Sequence, residues 1–302
     1  MQPIIQTLIP LMLLIALGFV LKKTIANEAW TEVLNKLAVY LLFPALIFSG
    51  MIKVKLESID DFSFIYWNFT ILVVVIFTLY FTLKHLSFSR SIINTYVISV
   101  FFGNVGYLGV PILTSLIPNS NGLVSMHVAL YTLILFTFGI GVLEFSVHKK
   151  LSSKIAIDAL TNPLLLAVLF AVILLATDTK LPFVIIKTID LLAGGATPII
   201  LISLGIFLAR ELPKVAYGHL FGLIGLKLFV MPSIFLVYFY LSGQSEVVAI
   251  SVLEAGMPLA LTPFILGEIY PMEREVIAIA IVVSCFISLV TLPILMFLVG
   301  VV

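Results

Sequence analysis

Long, nearly uninterrupted runs of apolar residues cross this chain, and they restrict its possible folds more than any other feature. Each run is about twenty residues long, the length of an α-helix that spans a bilayer core of about 30 Å. A membrane β-barrel would instead show segments of about ten residues with alternating apolar and polar side chains. The sequence therefore predicts an all-α polytopic membrane protein. We count ten candidate transmembrane helices, at 3–21, 33–52, 63–84, 92–117, 123–147, 157–177, 186–209, 216–241, 245–268 and 275–300.

The composition excludes several other classes of protein. Hydrophobic residues make up 62% of the 302 residues and charged residues 10%, against about 25% charged residues in a soluble domain. So few charges cannot cover the surface of a soluble enzyme. A net charge of +1 gives no reason to expect a nucleic-acid partner. Cys285 is the single cysteine, and no Cys/His spacing resembles a metal site, so we expect no disulfide, metal or cofactor.

The distribution of Lys and Arg predicts the orientation in the cell membrane, because cytoplasmic loops are enriched in both residues. With the N-terminus outside, the inner segments carry eleven of them and the outer segments four, so we expect both termini outside. The inner residues are Lys22, Lys23, Lys36, Lys84, Arg90, Lys149, Lys150, Lys154, Arg210, Lys214 and Arg274; the outer ones are Lys53, Lys55, Lys180 and Lys187.

The two halves of the chain resemble each other. Ile98-Ser99-Val100 recurs as Ile250-Ser251-Val252, and the same shift carries Pro111 onto Pro263. This predicts one five-helix repeat in residues 1–150 and a second in residues 151–302. Because five is odd, the second repeat must cross the membrane in the opposite sense. Inverted repeats of this kind are typical of secondary transporters, whose sites lie where corresponding helices of the two halves are broken.

Helices 4 and 9 are the pair that the sequence predicts to be broken. Three glycines lie in residues 103–109 and are followed by Pro111, while Pro258 and Pro263 interrupt helix 9. Glycine weakens a helix, and proline removes a hydrogen bond and clashes with the preceding turn. Backbone groups freed at half-helix ends can bind ions. The alternative is two ordinary proline kinks, which are common in membrane helices.

The sequence resembles the auxin efflux carrier family, which includes the plant PIN-type carriers and bacterial malate or malonate permeases. The resemblance covers essentially the whole chain. It rests on Gly103-Asn104-Val105-Gly106-Tyr107-Leu108-Gly109-Val110-Pro111, on Ala196-Thr197-Pro198-Ile199-Ile200 with Gly205, and on Met257-Pro258 with Leu266-Gly267-Glu268-Ile269-Tyr270.

The resemblance implies ten helices in two inverted repeats, with helices 4 and 9 crossing at their breaks. It implies a scaffold of helices 1, 2, 6 and 7, a mobile transport domain of helices 3–5 and 8–10, and homodimers formed through the scaffold. It also implies transport of a small organic anion by elevator-type alternating access. The chain lacks the long central loop of the larger plant carriers, so we expect no regulation through such a loop.

The candidate substrate site lies at the two breaks. An amide such as Asn104 donates two hydrogen bonds to a carboxylate without the desolvation cost of a charge; capping a half-helix is the alternative role. The resemblance also implies a polar contact from Asn162, although Asn162-Pro163 reads equally as a plain helix cap. The predicted substrate-binding residues are Gly103, Asn104, Gly106, Tyr107, Pro111, Asn162, Met257, Pro258, Thr262 and Pro263.

Glu254 and Lys227 are ionisable residues within predicted spans, where a charge is costly and usually faces a cavity or a partner. Glu254 is a candidate site for a coupling ion, H⁺ or Na⁺; the alternatives are a fixed ion pair with Lys227 or a protonated structural carboxyl. For Lys227 we expect charge balance. Glu144 and His127 lie near span ends, where we expect them at the membrane interface.

The sequence therefore predicts a secondary transporter of small carboxylates, and not an enzyme. No nucleophile–base set or metal motif stands out within the spans. Two other functions remain open on the same architecture: a cation or proton exchanger that uses Glu254, and a receptor that binds the anion without moving it.

Overall fold

A computed structural model describes most of the chain as helices. The described residues are 2–52, 63–109, 112–113, 116–117, 120–148, 163–209 and 215–301. Pro111, Asn162 and the predicted boundary between the repeats at residues 150 and 151 lie outside them. The helices are α1 Gln2–Thr24, α2 Glu28–Leu37, α3 Phe43–Ile52, α4 Ser63–His85, α5 Arg90–Phe101, α6 Asn121–Ile134, α7 Ile140–His148, α8 Pro163–Ala176, α9 Phe183–Leu208, α10 Tyr217–Gly225, α11 Met231–Leu241, α12 Glu246–Ala255, α13 Thr262–Leu266 and α14 Arg274–Leu298.

In the described part of the chain, four π-helical turns join or follow these helices. Three of them, Ala38–Leu42, Leu135–Gly139 and Leu226–Val230, join α2 to α3, α6 to α7 and α10 to α11 without a loop. The fourth, Val105–Gly109, follows α5 after a break. Turns of this type are rare and occur frequently at functional sites. The described residues contain no β-sheet, so the prediction of an all-α protein is confirmed for them.

Several described segments are long and apolar enough to cross a bilayer, which fits a multi-pass membrane protein. Six satisfy both criteria: Ala29–Ile52, Ile65–His85, Leu130–Val147, Phe183–Leu208, Tyr217–Leu241 and Arg274–Leu298. Large apolar side chains such as Phe183, Leu191 and Phe297 are exposed on them, as lipid contact requires. The total of ten spans and the inverted repeat stay predictions.

The helix α9 packs along α1, α2 and α3, and α8 packs against α3. The crossing of α1 and α9 depends on two glycines. A Cβ atom at Gly18 would overlap the carbonyl oxygen of Ile202, and one at Gly205 would overlap that of Ile15. Small residues allow membrane helices to approach this closely. The remaining helices, α4 to α7 and α10 to α14, include the two broken segments described next.

Candidate functional site at the crossing of two broken helices

Both helices that the sequence predicts to be broken are interrupted in the structure. The first break separates α5, which ends at Phe101, from the π-helical turn that begins at Val105. The second separates α12, which ends at Ala255, from the short α13 that begins at Thr262. Each first half starts with a serine cap: Ser89 accepts a hydrogen bond from the Ile92 amide at 3.3 Å. The predicted breaks are therefore confirmed, and simple kinks are excluded.

The two breaks meet in antiparallel contact. Gly103 and Leu259 form an isolated β-bridge, and the Asn104 amide N–H donates to the Pro258 carbonyl oxygen at 2.8 Å. The Leu259 N–H donates to the Oγ atom of Ser284 on α14 at 3.1 Å. Backbone groups away from water must be paired within the protein. The crossing pairs these two groups, one with the second segment and one with α14.

Asn104 is a buried amide at the first break. Its side chain is 6% exposed and makes no hydrogen bond with the described residues, whereas its carbonyl oxygen accepts from Leu108 and Gly109. The side chain therefore does not cap the π-helical turn. Gly106 is exposed, and a Cβ atom placed on it would have no neighbour within 4 Å. The backbone beside Asn104 is therefore uncovered at Gly106.

The other predicted substrate residues divide into two groups. Met257, Pro258, Thr262 and Pro263 are buried in or next to the break that follows α12. The backbone of Tyr107 lies in the π-helical turn beside Asn104. Substrate contact by any of these residues stays a prediction.

Lys227 is fully buried in the π-helical turn between α10 and α11. Its Nζ atom donates to the carbonyl oxygen of Ala255, the last residue of α12, at 2.8 Å. The same atom lies 2.8 Å from the position of a Cβ atom on Gly103. The ammonium group therefore lies where the two broken segments come together.

Glu254 is also fully buried, and neither of its carboxylate oxygens has a hydrogen-bond partner in the described structure. It interacts electrostatically with Lys227 and with Tyr131 of α6. The ammonium group of Lys227 donates to the backbone of Ala255 and not to this carboxyl. The three predicted roles of Glu254 stay predictions. The hydroxyl group of Tyr131 is buried without a hydrogen-bond partner too.

Two polar residues expected at the membrane interface are instead buried. Glu144 accepts a hydrogen bond from the Tyr270 hydroxyl at 2.6 Å. His127 contacts the Ser251 hydroxyl at 2.8 Å and the Leu123 carbonyl oxygen at 2.9 Å. The sequence did not predict this burial, because Tyr270 and Ser251 lie far from Glu144 and His127 along the chain.

A polar network joins the helices around α9 to the segment that follows α13. The Ser203 hydroxyl donates to the Asn35 side chain at 2.7 Å, and the Asn35 amide donates to Glu268 at 2.5 Å. Glu268 also pairs with Arg274, whose guanidinium group lies over the rings of two phenylalanines. These contacts link the two helix groups on one side of the crossing.

Comparison with known proteins identifies the class of molecule that carries this crossing. Residues 3–296 match the family described as "Membrane transport protein". The chain belongs to this family. It is a family of transporters and not of enzymes, and it is the auxin efflux carrier family that the sequence resembles.

Three relatives of this transporter come from archaea and a plant. An uncharacterized transporter of Methanothermobacter thermautotrophicus is 28% identical over 297 residues, covering 95% of this chain and 96% of the relative. An uncharacterized transporter of Methanocaldococcus jannaschii is 24% identical over 286 residues, covering 89% of each. Auxin efflux carrier component 8 of Arabidopsis thaliana is 26% identical over 141 residues, covering 46% of this chain and 38% of the plant protein.

Sequence reasoning missed two residues of the transporter's crossing. Ser284 lies in an apolar helix, and serines in such helices usually bond to their own backbone, so nothing marks it as the partner of a broken segment. Tyr131 is one of ten tyrosines and has no motif around it. Only the packing brings either residue to the site.

Proposed function

We propose that this transporter is a secondary carrier that moves a small carboxylate across the cell membrane, and that both of its termini lie outside. The supporting observation is the antiparallel crossing of the two breaks, at which the Asn104 side-chain amide has no hydrogen-bond partner among the described residues. An unpaired amide donor near a buried ammonium group suits a carboxylate, because both groups favour negative charge. Substrate binding by the remaining predicted residues is part of the same proposal.

Alternating access is proposed to follow the elevator scheme, in two inverted five-helix repeats. The scaffold consists of α1 to α3, α8 and α9, and the rest forms the transport domain. Two features support this division: the close glycine contacts between α1 and α9, and the bonds of Asn35 to Ser203 and Glu268. The glycine contacts and the Asn35–Ser203 bond lie within the scaffold and keep it rigid. The Asn35–Glu268 bond crosses the border and can break when the transport domain moves. Homodimers form through the scaffold.

Counterflow in proteoliposomes tests this proposal. Vesicles loaded with unlabelled malonate, malate, succinate, acetate or indole-3-acetate are diluted into the labelled form of the same compound. We expect labelled substrate to accumulate for at least one of them. A receptor without transport activity would bind the compound but give no counterflow, and a cation exchanger would give none with any anion.

Asn104→Ala tests the site itself. Losing a hydrogen bond to a charged partner costs about 1.5–3 kcal/mol, so the apparent KM for counterflow should rise about 10- to 100-fold. Asn27→Ala is the matched control, because Asn27 is exposed and its side chain caps nothing. Equal KM values in the two variants would remove Asn104 from the substrate site.

A further inference from the structure

Glu254 and Lys227 carry an inference about the coupling ion, and it rests on the proposed function. We infer that Lys227 is a tethered cation that takes the position of a coupling Na⁺ at the crossing, and that Glu254 carries the coupling proton, one for each monoanionic carboxylate. The two residues lie in adjacent elements: Glu254 in α12 and Lys227 in the turn that donates to the end of α12.

The position of the ammonium group argues against sodium. In transporters with broken helices, coupling cations bind the unwound carbonyls and the C-terminal ends of half-helices. Here the carbonyl oxygen of Ala255, at the end of α12, accepts a hydrogen bond from Lys227. A metal cation beside this ammonium group would be repelled by it in a medium of low dielectric constant. A proton on Glu254 meets no such obstacle, because it only neutralises a carboxylate.

The surroundings of Glu254 suit a group that gains and loses a proton. An ionised carboxylate that is buried without a donor is far more costly than the neutral acid. Among the described residues, Lys227 and Tyr131 are titratable groups that interact with it. In the neighbouring helices, His127 of α6 is bonded to Ser251, and Cys285 of α14 is a buried thiol.

The charges at the crossing then determine which forms of the transport domain can move. With Lys227 charged, a bound monoanion and a protonated Glu254 give no net charge, and an empty site with an ionised Glu254 gives none either. The other two forms carry an excess charge, which is costly to move through a membrane. The loaded and the empty domain therefore both move readily only if one proton accompanies each anion.

Two gradients applied to the same proteoliposomes test this inference with the labelled monocarboxylate of the panel, acetate or indole-3-acetate, that gives the faster counterflow, and vesicles without protein give the passive entry of the free acid to be subtracted. We expect an inside-alkaline gradient of about one pH unit to drive about tenfold accumulation, because one proton moves with each anion. Replacing Na⁺ by choline should change nothing. Uptake driven by a Na⁺ gradient, or uptake insensitive to pH, would overturn the inference.

Glu254→Gln separates coupling from folding. The variant with bound anion is neutral and still moves, so its counterflow should stay within about twofold of that of the unmodified protein. The empty variant keeps an excess positive charge and moves poorly. Net uptake down a pH gradient should therefore fall by more than about tenfold. Glu254→Asp should restore it, and Glu144→Gln, which alters a buried carboxyl bonded to Tyr270, should leave the pH dependence intact.

The outcomes separate the two proposals. If no compound gives counterflow in the unmodified protein, the proposed function fails, and the inference fails with it. Counterflow with pH-driven net uptake retained in Glu254→Gln overturns the inference alone. Loss of counterflow in that variant also overturns it, because a side chain needed for exchange itself is more than a proton carrier.

Discussion

Gly103→Ala is the sharpest available test of how tightly the two breaks are packed. The added Cβ atom would lie 2.8 Å from the Nζ atom of Lys227, 3.0 Å from its Cε atom and 3.2 Å from the Met257 carbonyl oxygen. The first two separations are shorter than or at the limit of real carbon contacts, so either Lys227 or the bridge between Gly103 and Leu259 must shift. The side chain is the more flexible of the two, and its movement breaks the hydrogen bond to Ala255.

The cost follows from that hydrogen bond. A bond to a charged group contributes about 1.5–3 kcal/mol, and replacing glycine by alanine returns about 0.4–1 kcal/mol through the unfolded chain. The variant should therefore lose about 1–2 kcal/mol of stability. At a fixed temperature this corresponds to a roughly 5- to 30-fold larger unfolded fraction.

The single cysteine provides the assay without further engineering. Cys285 is free and buried in α14, one residue from Ser284, which bonds to the second break. A dye that becomes fluorescent on reaction with a thiol reports when heating exposes it in detergent. Gly225→Ala is the matched control, because a Cβ atom there has no neighbour within 4 Å.

Two results would refute this reasoning. In the first, Gly103→Ala and Gly225→Ala expose the thiol at the same temperature. In the second, Gly103→Ala destabilises a Lys227→Met background as much as it destabilises the unmodified protein. A clash that acts through the lysine must show coupling in such a double-mutant cycle.

Two further substitutions test other contacts with the same thiol assay. Ser284→Ala leaves the Leu259 N–H buried without a partner and should lower the stability by about 1–3 kcal/mol. Ser288→Ala removes only a bond within its own helix and should be nearly neutral. Equal midpoints of thiol exposure in the two variants would contradict the role of Ser284. Gly205→Ala forces α9 away from the backbone of α1 and should destabilise the protein more than Gly194→Ala, whose Cβ atom has no neighbour within 4 Å. A lower midpoint of thiol exposure for Gly194→Ala than for Gly205→Ala would contradict the close packing of α1 and α9.

The sequence alone determined that the chain spans a bilayer and where two of its helices break. Apolar runs with 10% charged residues require a bilayer. The glycines and prolines near residues 103–111 and 256–263 predicted breaks because neither residue type supports a helix. These properties are local, since they depend on each residue's own backbone and solvation. The position of Asn104 at the first break also followed from the sequence, whereas its contact with substrate stays a prediction.

Only the tertiary structure decided which groups meet at those breaks. The pairing of Gly103 with Leu259 and the bond from Lys227 to Ala255 join residues far apart in the sequence, and no periodicity encodes such pairs. For this reason the sequence did not predict the backbone partner of Lys227. An unwound segment inside a membrane has carbonyl oxygens without a donor from its own helix. Such an oxygen accepts a hydrogen bond from the nearest ammonium group, because an unpaired backbone group is costly there. That competition depends on geometry, which apolar sequence does not record.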